Sequence, residues 1–204
     1  MYYDNAIFPW LAEIEDNWQT IRDEVIALGD DGFLPWPERH YYNFGWKIFG
    51  LYGWGVRFDK HCEMCPKTAA LIEKIPGLEN AGFSRMSPHT HIKAHRNMAP
   101  EGVLRLHVPL IIPEGCEFRV EDTTRTWKEG ECFVFDDCLD HEAWNRSDKQ
   151  RIVLLCDFPA TDLVYYPSVR HKTKRFVSKL MGWQTEFNYL PAGKTKEDVM
   201  VRPS

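Results

Sequence analysis

Residues 126–158 have the sequence TWKEGECFVFDDCLDHEAWNRSDKQRIVLLCDF. Two apolar runs in this stretch, Cys132–Phe135 and Arg151–Phe158, have the length and composition of buried β-strands. The turn-forming sequence Lys128–Gly130 precedes the first run. The polar segment between the runs carries His141, and Arg151 follows it ten residues later. This stretch therefore predicts short strands separated by turns, with a histidine and an arginine among them.

The same pattern extends upstream to about residue 81. Phe83–Met86, Val103–Ile112 and Glu117–Val120 are further predicted strands, and Glu121–Thr124 is a predicted turn. Many short strands of this kind are typical of a sandwich or a barrel. We predict a mainly β fold with flanking helices, whose core is a double-stranded β-helix of the jelly-roll or cupin-like type.

The segments that flank this core have a different pattern. Apolar residues recur at three- and four-residue steps between positions 10 and 28, which predicts an amphipathic helix. A second helix is predicted over Thr68–Ile75, and a third over 170–181, which includes the basic run 170–175. The aromatic and glycine-rich residues 41–58 predict short strands and turns.

We expect the chain to form one domain over 1–204, because this length is typical of a single domain with a substantial core. Residues 1–80 are predicted to be a helical and aromatic part that packs on the core. Residues 81–160 are predicted to be the double-stranded β-helix catalytic core, and 161–204 a C-terminal extension.

Composition and charge argue against several functions. The net charge of -5 gives no electrostatic reason to expect a nucleic acid partner. No run approaches the roughly 18–20 apolar residues that span a membrane. The opening residues lack the features of a signal peptide, so we expect a cytoplasmic protein whose six cysteines are free thiols. Cys62 and Cys65 have zinc-knuckle spacing, but no second such pair exists, so structural thiols are expected.

His95 and His141 are the most informative polar residues. Imidazole is a suitable ligand for Fe(II), and an arginine fork such as that of Arg151 binds a carboxylate through two parallel hydrogen bonds. Together they predict an iron site that also holds a small di-acid.

Three blocks, Phe83–Met86, Arg105–Cys116 and Thr126–Phe158, occur in a specific order and spacing. Together they resemble the catalytic domain of the aspartyl/asparaginyl β-hydroxylase family, whose members are Fe(II)- and 2-oxoglutarate-dependent dioxygenases. The resemblance implies a hydroxylase that uses Fe(II), 2-oxoglutarate and O₂ to oxidise an unactivated C–H bond.

The resemblance places the metal ligands, which are also the catalytic residues, at His95 and His141. Most iron oxygenases of this type have a carboxylate two residues after the first histidine, where this chain has Asn97. The family includes members with the two histidines alone, so the third position is left open between water and the Asn97 amide.

The resemblance also implies residues for the co-substrate and the substrate. Arg151 would bind the far carboxylate of 2-oxoglutarate with help from Ser84, and His107 would contact the carboxylate on the iron side. Arg105, two residues before His107, would lie at the substrate.

The expected substrate is a small molecule or a peptide, oxidised at the β-carbon of an Asp/Asn-type residue in an amino acid, peptide or natural-product intermediate. Relatives also act on lipid acyl chains. Two alternatives stay open: a metal-dependent cupin enzyme without 2-oxoglutarate, which binds metal through His89, His91 and His141, and a non-catalytic jelly-roll binding protein. The oligomeric state is left open.

Overall fold

The computed structural model describes residues 2–97 and 103–160, together with the backbone of 163–165 and 189–191. The helix predicted over 170–181 lies outside these residues. The helices are α1 Leu11–Asp16, α2 Trp18–Leu28, α3 Asp59–Met64 and α4 Pro66–Ile72, with short 3-10 turns at Asn5–Ile7 and Arg39–Tyr41. The strands are β1 Tyr2–Tyr3, β2 Leu34–Pro35, β3 Trp46–Gly53, β4 Val56–Arg57, β5 Asn80–Met86, β6 His91–His95, β7 Val103–Ile111, β8 Cys116–Val120, β9 Thr123–Thr126, β10 Phe133–Phe135, β11 His141–Asn145, β12 Arg151–Pro159, β13 Leu163–Tyr165 and β14 Tyr189–Pro191.

Two antiparallel sheets form the core. The larger sheet has the order β1-β10-β7-β12-β5-β3-β2, with β4 paired to β3, and the smaller sheet has the order β6-β11-β8-β9. Side chains from both sheets line a cavity between them. Because the chain passes repeatedly from one sheet to the other, the architecture is a double-stranded β-helix, and the predicted fold class is confirmed.

The helices pack on the other face of the larger sheet, where α2 contacts β7 and α3 contacts β3. Strands β7 and β12 are therefore covered on both faces. This explains why Arg151–Phe158 is a continuous run of buried residues rather than an alternating one. The single helix predicted over 10–28 is two helices, because Asn17 has a non-helical backbone and donates its side-chain amide to the carbonyl of Glu13.

The strands that the sequence pattern did not predict include β6, β9 and β11 of the smaller sheet and the two-residue edge strands β1 and β2 of the larger sheet. Thr123 and Thr124, predicted to lie in a turn, are the first residues of β9, and the turn is confined to Glu121–Asp122, where Glu121 has φ of 50°. Strands β9 and β11 alternate buried or half-buried residues with more exposed polar ones, so their apolar content is low. Helix α3 was not predicted either.

Strands β3 and β4 are joined by a two-residue turn, Trp54–Gly55, since Gly53 pairs with Val56. Both turn residues have positive φ, 51° for Trp54 and 74° for Gly55. This combination defines a type I′ hairpin turn.

Among the described residues, no helix has the length and apolar character that crossing a bilayer requires.

Candidate active site

His95 and His141 face each other in the smaller sheet. His95 ends β6, His141 begins β11, and the two are directly opposite in the antiparallel register. Their ring centroids are 4.2 Å apart, and both side chains are buried. Directly opposed residues project from the same face of a sheet. Strand pairing therefore brings both imidazoles to the cavity between the sheets.

Each imidazole is oriented by a hydrogen bond that its Nδ1–H donates to a main-chain carbonyl. The acceptor is Lys93 O at 2.7 Å for His95 and Leu139 O at 2.9 Å for His141. Burial lowers the pKa of His95 and lowers the pKa of His141 to about 4. Both rings are thus neutral, with an unprotonated Nε2, which is the form of histidine that binds a metal ion.

Arg151 is a buried cation on the larger sheet, with only 2% of its surface exposed. Its Nη1 donates to Ser84 O at 3.3 Å and to Ser84 Oγ at 3.4 Å, and its Cζ lies 4.4 Å from the ring centroid of Trp127. Among the described residues, its Nε has no hydrogen-bond partner and no carboxylate pairs with it. Burial lowers the pKa of Arg151 to about 10, so the group still carries a charge at neutral pH.

Ser84 and His107 complete the surroundings of this guanidinium. The hydroxyl of Ser84 accepts a hydrogen bond from the indole of Trp46 at 2.9 Å, which fixes its position. Nδ1 of His107 accepts a hydrogen bond from the Trp127 indole at 3.4 Å. Burial and the charge of Arg151 lower the pKa of His107 well below its ordinary value. His107 is therefore neutral, and its Nε2–H is a donor.

Arg105 also lines the cavity, but carboxylates already occupy its donors. Its Nε and Nη2 bind the two oxygens of Asp157 at 2.6 and 2.8 Å, and its Nη1 binds Asp137 Oδ1 at 2.9 Å. Although burial lowers the pKa of Arg105, Asp137 and Asp157 together raise it above its ordinary value.

Asp137 was not among the predicted site residues. Its Oδ1 lies 3.4 Å from Nε2 of His141, and its Oδ2 accepts a hydrogen bond from Asn97 Nδ2 at 2.6 Å. Asn97 thus holds Asp137. The signal that could have identified Asp137 is the acidic pair Asp136-Asp137 directly after a buried strand. Within residues 2–97 and 103–160, no group of three His, Cys, Asp or Glu side chains is arranged to hold a metal ion.

All predicted site residues line one cavity: Ser84, His95, Arg105, His107, His141 and Arg151. Of the three histidines in the cupin alternative, His141 lines this cavity, whereas His89 and His91 do not. His89 pairs with Asp148 at 3.0 Å on the surface. His91 pairs with Glu142 at 2.7 Å and stacks on Trp144.

The sequence of residues 15–161 matches the family model described as Aspartyl/Asparaginyl beta-hydroxylase. The chain belongs to this family. The resemblance noted from the sequence is confirmed.

Curated relatives of this family member include hydroxylases with two kinds of substrate. It is 41% identical to an ornithine lipid ester-linked acyl 2-hydroxylase of Rhizobium tropici over 76% of this chain and 59% of the relative. It is 35% identical to the aspartyl/asparaginyl beta-hydroxylase of Homo sapiens over 79% of this chain and 22% of the relative. The matched region thus spans less than two thirds of either relative's length. A Pseudomonas putida prolyl-4-hydroxylase structure is 13% identical over 71% of this chain and 86% of that one, with a TM-score of 0.48.

Proposed function

We propose that this family member is an Fe(II)- and 2-oxoglutarate-dependent hydroxylase whose metal ligands are His95 and His141. The observation that carries the proposal is the state of Arg151. A buried guanidinium with an unpartnered Nε is unfavourable unless an anion joins it. A carboxylate that reaches it from the cavity would supply the missing acceptor.

The two histidines fit iron by the chemistry of their donors. Both present an unprotonated Nε2 to the cavity, and each Nδ1–H is bound to a carbonyl, as is usual around metal-bound histidine. A pair of neutral nitrogen ligands leaves positions open for a keto acid and O₂, which suits a non-haem Fe(II) site. Bound iron would supply the activation of O₂ that this chemistry requires.

The remaining residues have separate tasks. Arg151 and Ser84 bind the far carboxylate of 2-oxoglutarate, and the Nε2–H of His107 is placed to donate to its other end. Asp137, held by Asn97 and Arg105, presents a carboxylate oxygen beside His141 and balances the charge of the site. In the overall reaction 2-oxoglutarate becomes succinate and CO₂. One atom of O₂ enters succinate, and the other forms the new hydroxyl.

The substrates named for the two relatives share one chemical element. The β-carbon of an Asp or Asn side chain and carbon 2 of an ester-linked acyl chain are both methylene groups next to a carbonyl carbon. We therefore propose that the oxidised position is a CH₂ adjacent to a carbonyl group. The β-carbon of an Asp/Asn-type residue, in an amino acid or a peptide, is the first candidate.

An acyl chain is the second candidate, and two observations favour it. The acyl hydroxylase has the higher identity with this chain and is matched over a larger share of its length. In addition, the guanidinium of Arg105 is already bound by the carboxylates of Asp137 and Asp157. The carboxylate of an aspartyl substrate would need a free cation at this place, and Arg105 is not free to act as one.

The test is anaerobic titration of the Fe(II)-loaded protein with 2-oxoglutarate, monitored by the visible charge-transfer band of a chelated keto acid. The band is expected for the wild type, is expected to be absent in His141→Ala, and should require a much higher co-substrate concentration in Arg151→Ala. If iron binds without producing the band and Arg151→Ala behaves as wild type, the cupin or the binding-protein alternative replaces the proposal.

Substrate class is resolved by succinate formation with two probes, an aspartyl-containing peptide and an ornithine lipid in detergent. Succinate above the uncoupled background with the lipid alone selects the acyl chain, and with the peptide alone selects the Asp/Asn-type residue. Product mass increased by one oxygen checks that the reaction is hydroxylation.

A further inference from the structure

Three apolar side chains, Trp54, Val56 and Phe58, form an exposed apolar tip at the β3–β4 hairpin. Trp54 is 90% exposed, Val56 61% and Phe58 38%. Large aromatic side chains normally bury most of their surface, so a tryptophan this exposed is unusual. Phe58 supports the hairpin from beneath, because a Cβ added at Gly53 would lie 2.9 Å from its ring.

The residue at the first central position of the turn, Trp54, is not one that this turn type favours. A type I′ turn needs positive φ at both central residues, and Asn, Asp or Gly are preferred there. This chain has Trp54 at the first position, with φ of 51°, in a region where bulky side chains are disfavoured. The sequence therefore has at this position a tryptophan that is strained by its backbone and has little contact with the other residues that the structure describes. Such a residue is best explained by a contact outside the protein.

The tip is connected to the metal end of the larger sheet by a chain of hydrogen bonds. The Trp54 N–H donates to Asn80 Oδ1 at 2.9 Å, and Asn80 Nδ2 donates to Asp157 Oδ2 at 3.1 Å. Asp157 in turn binds Arg105, which binds Asp137 beside His141. Three strand spacings separate β3 from β7, about 14 Å. The tip thus lies at the end of the larger sheet where Arg105 holds Asp137 beside His141, and this end is the metal end.

The cation of the hairpin itself, Arg57, is already paired. Arg57, on the hairpin, binds Asp59 at 2.6 Å and Glu73 at 3.0 Å. A contact made by this tip would therefore depend on its apolar surface rather than on a net positive charge.

We propose that the apolar tip inserts into the interfacial layer of a lipid bilayer and holds the metal end of the sheet towards the membrane surface. A protruding tip with an indole at its end suits the headgroup boundary, where tryptophan is favoured. Choosing a lipid surface over other apolar partners rests on the second candidate of the proposed function, an acyl-chain substrate.

The experiment is co-sedimentation of the full chain with phosphatidylcholine vesicles, in the absence of iron and 2-oxoglutarate. The key variant is Trp54→Asn, which places a residue favoured by the turn at position 54 and should fold at least as well as the wild type. The matched control is Leu34→Ser, because Leu34 is also exposed, at 65%, but pairs with Ile48 at the other end of β3.

We expect the wild type and Leu34→Ser to partition onto the vesicles equally, and Trp54→Asn to lose at least about tenfold in partitioning. Binding should persist in about 1 M salt, where electrostatic attraction is screened. A blue shift of tryptophan emission on binding should be smaller in Trp54→Asn.

The proposal is overturned if the wild type does not bind the vesicles, or if Trp54→Asn binds as well as the wild type. Binding that requires anionic lipid and is lost in salt would also overturn it, since it would place the contact on a basic surface. Trp54-dependent self-association without vesicles would assign the tip to a second copy of the chain. Activity on a substrate in detergent is expected to be unchanged in Trp54→Asn, so failure of vesicle binding and failure of the hydroxylase proposal are separate results.

Discussion

The ring of Tyr41 stacks on the ring of His95, with centroids 4.3 Å apart and planes inclined by 24°. Tyr41 ends the short 3-10 turn Arg39–Tyr41, which contacts β6. His95 thus touches Tyr41 as well as His141. Since Lys93 O fixes the Nδ1 of the same ring, we propose that Tyr41 is a positioning residue for the imidazole of His95, one of the two proposed metal ligands.

We expect Tyr41→Leu to weaken Fe(II) affinity roughly tenfold, because residues that orient metal ligands commonly have effects of this size. Tyr41→Phe keeps the stacked ring and should bind Fe(II) as the wild type does. Anaerobic metal titration measures both, with thermal unfolding of the apoprotein as a check on folding. Equal affinities for Tyr41→Leu and the wild type would contradict this role.

Fe(II) should raise the melting temperature, because a ligand that binds only the folded state stabilises it, by about 2.7 kcal/mol at 100 times its Kd. A chelator should reverse the rise. His95→Ala and His141→Ala are expected to lose the response. His91→Ala is the matched control, since His91 pairs with Glu142 outside the cavity and should retain it. Loss of the response in His91→Ala would instead support the cupin set of ligands.

Arg151→Met should stabilise the apoprotein while it abolishes 2-oxoglutarate binding. The substitution replaces a buried cation that lacks a carboxylate partner by an apolar chain, which we expect to raise the free energy of unfolding by about 1–3 kcal/mol. Denaturant unfolding measures the first effect, and the stabilisation of the Fe(II)-loaded protein by added 2-oxoglutarate measures the second. A destabilised Arg151→Met would mean that the guanidinium is satisfied within the apoprotein.

Stability should fall as the pH rises from about 4 to about 7, because of Asp136. Burial raises the pKa of this carboxyl to about 7, against about 3.9 in an unfolded chain. The folded state therefore binds more protons than the unfolded state between these values, and the slope of stability against pH is negative there. The effect is complete about one pH unit above this pKa and amounts to about 2–4 kcal/mol.

Asp136→Asn removes this titration and keeps an oxygen to accept the Cys138 N–H, which Asp136 Oδ1 accepts at 2.9 Å. The variant should be more stable than the wild type at pH 8, and the difference should shrink towards pH 4. Urea unfolding at several pH values measures it. A constant difference across the range would show that Asp136 has the same pKa in both states.

Glu24→Ala should destabilise the helical layer by about 1–2 kcal/mol. The Glu24 carboxylate accepts the N–H groups of Lys67 and Thr68 at 2.9 and 2.7 Å, so it caps the N-terminus of α4 from α2. Asp23→Ala is the control, because Asp23 is exposed and its pair with the adjacent Arg22 contributes little. Thermal unfolding of the two variants should differ clearly, and equal values would leave Glu24 without a capping role.

The residues predicted for the site all line one cavity, whereas two of the strands that carry them were not predicted. The residues around His141 form a specific sequence motif, and the blocks around Ser84 and Arg105 precede it in the order and spacing of the family. Strands β6 and β11 nevertheless went unpredicted, since short, largely polar strands of a small sheet have too few apolar positions to show a period of two. A motif can be recognised from its residue types even where the hydrophobic pattern is too weak to predict the strand that carries it.

Asp137 and Trp54 illustrate what sequence reasoning did not find. Asp137 acquires its partners because β10 pairs with β7 and sets it beside Arg105. Trp54 counts as one aromatic among many in the sequence. Its exposure follows from a two-residue turn at which no other described residue covers the indole.

The fold class and the family could be inferred from residue types at specific spacings, and the same spacings led to the residues predicted to hold iron and 2-oxoglutarate. The burial of Arg151 with an unpartnered Nε, the pairing of Arg105 with two carboxylates and the position of Asp137 beside His141 became visible only in the folded protein. Each of these properties depends on contacts between strands distant in the chain. Burial and charge pairing arise only when the two sheets close on each other.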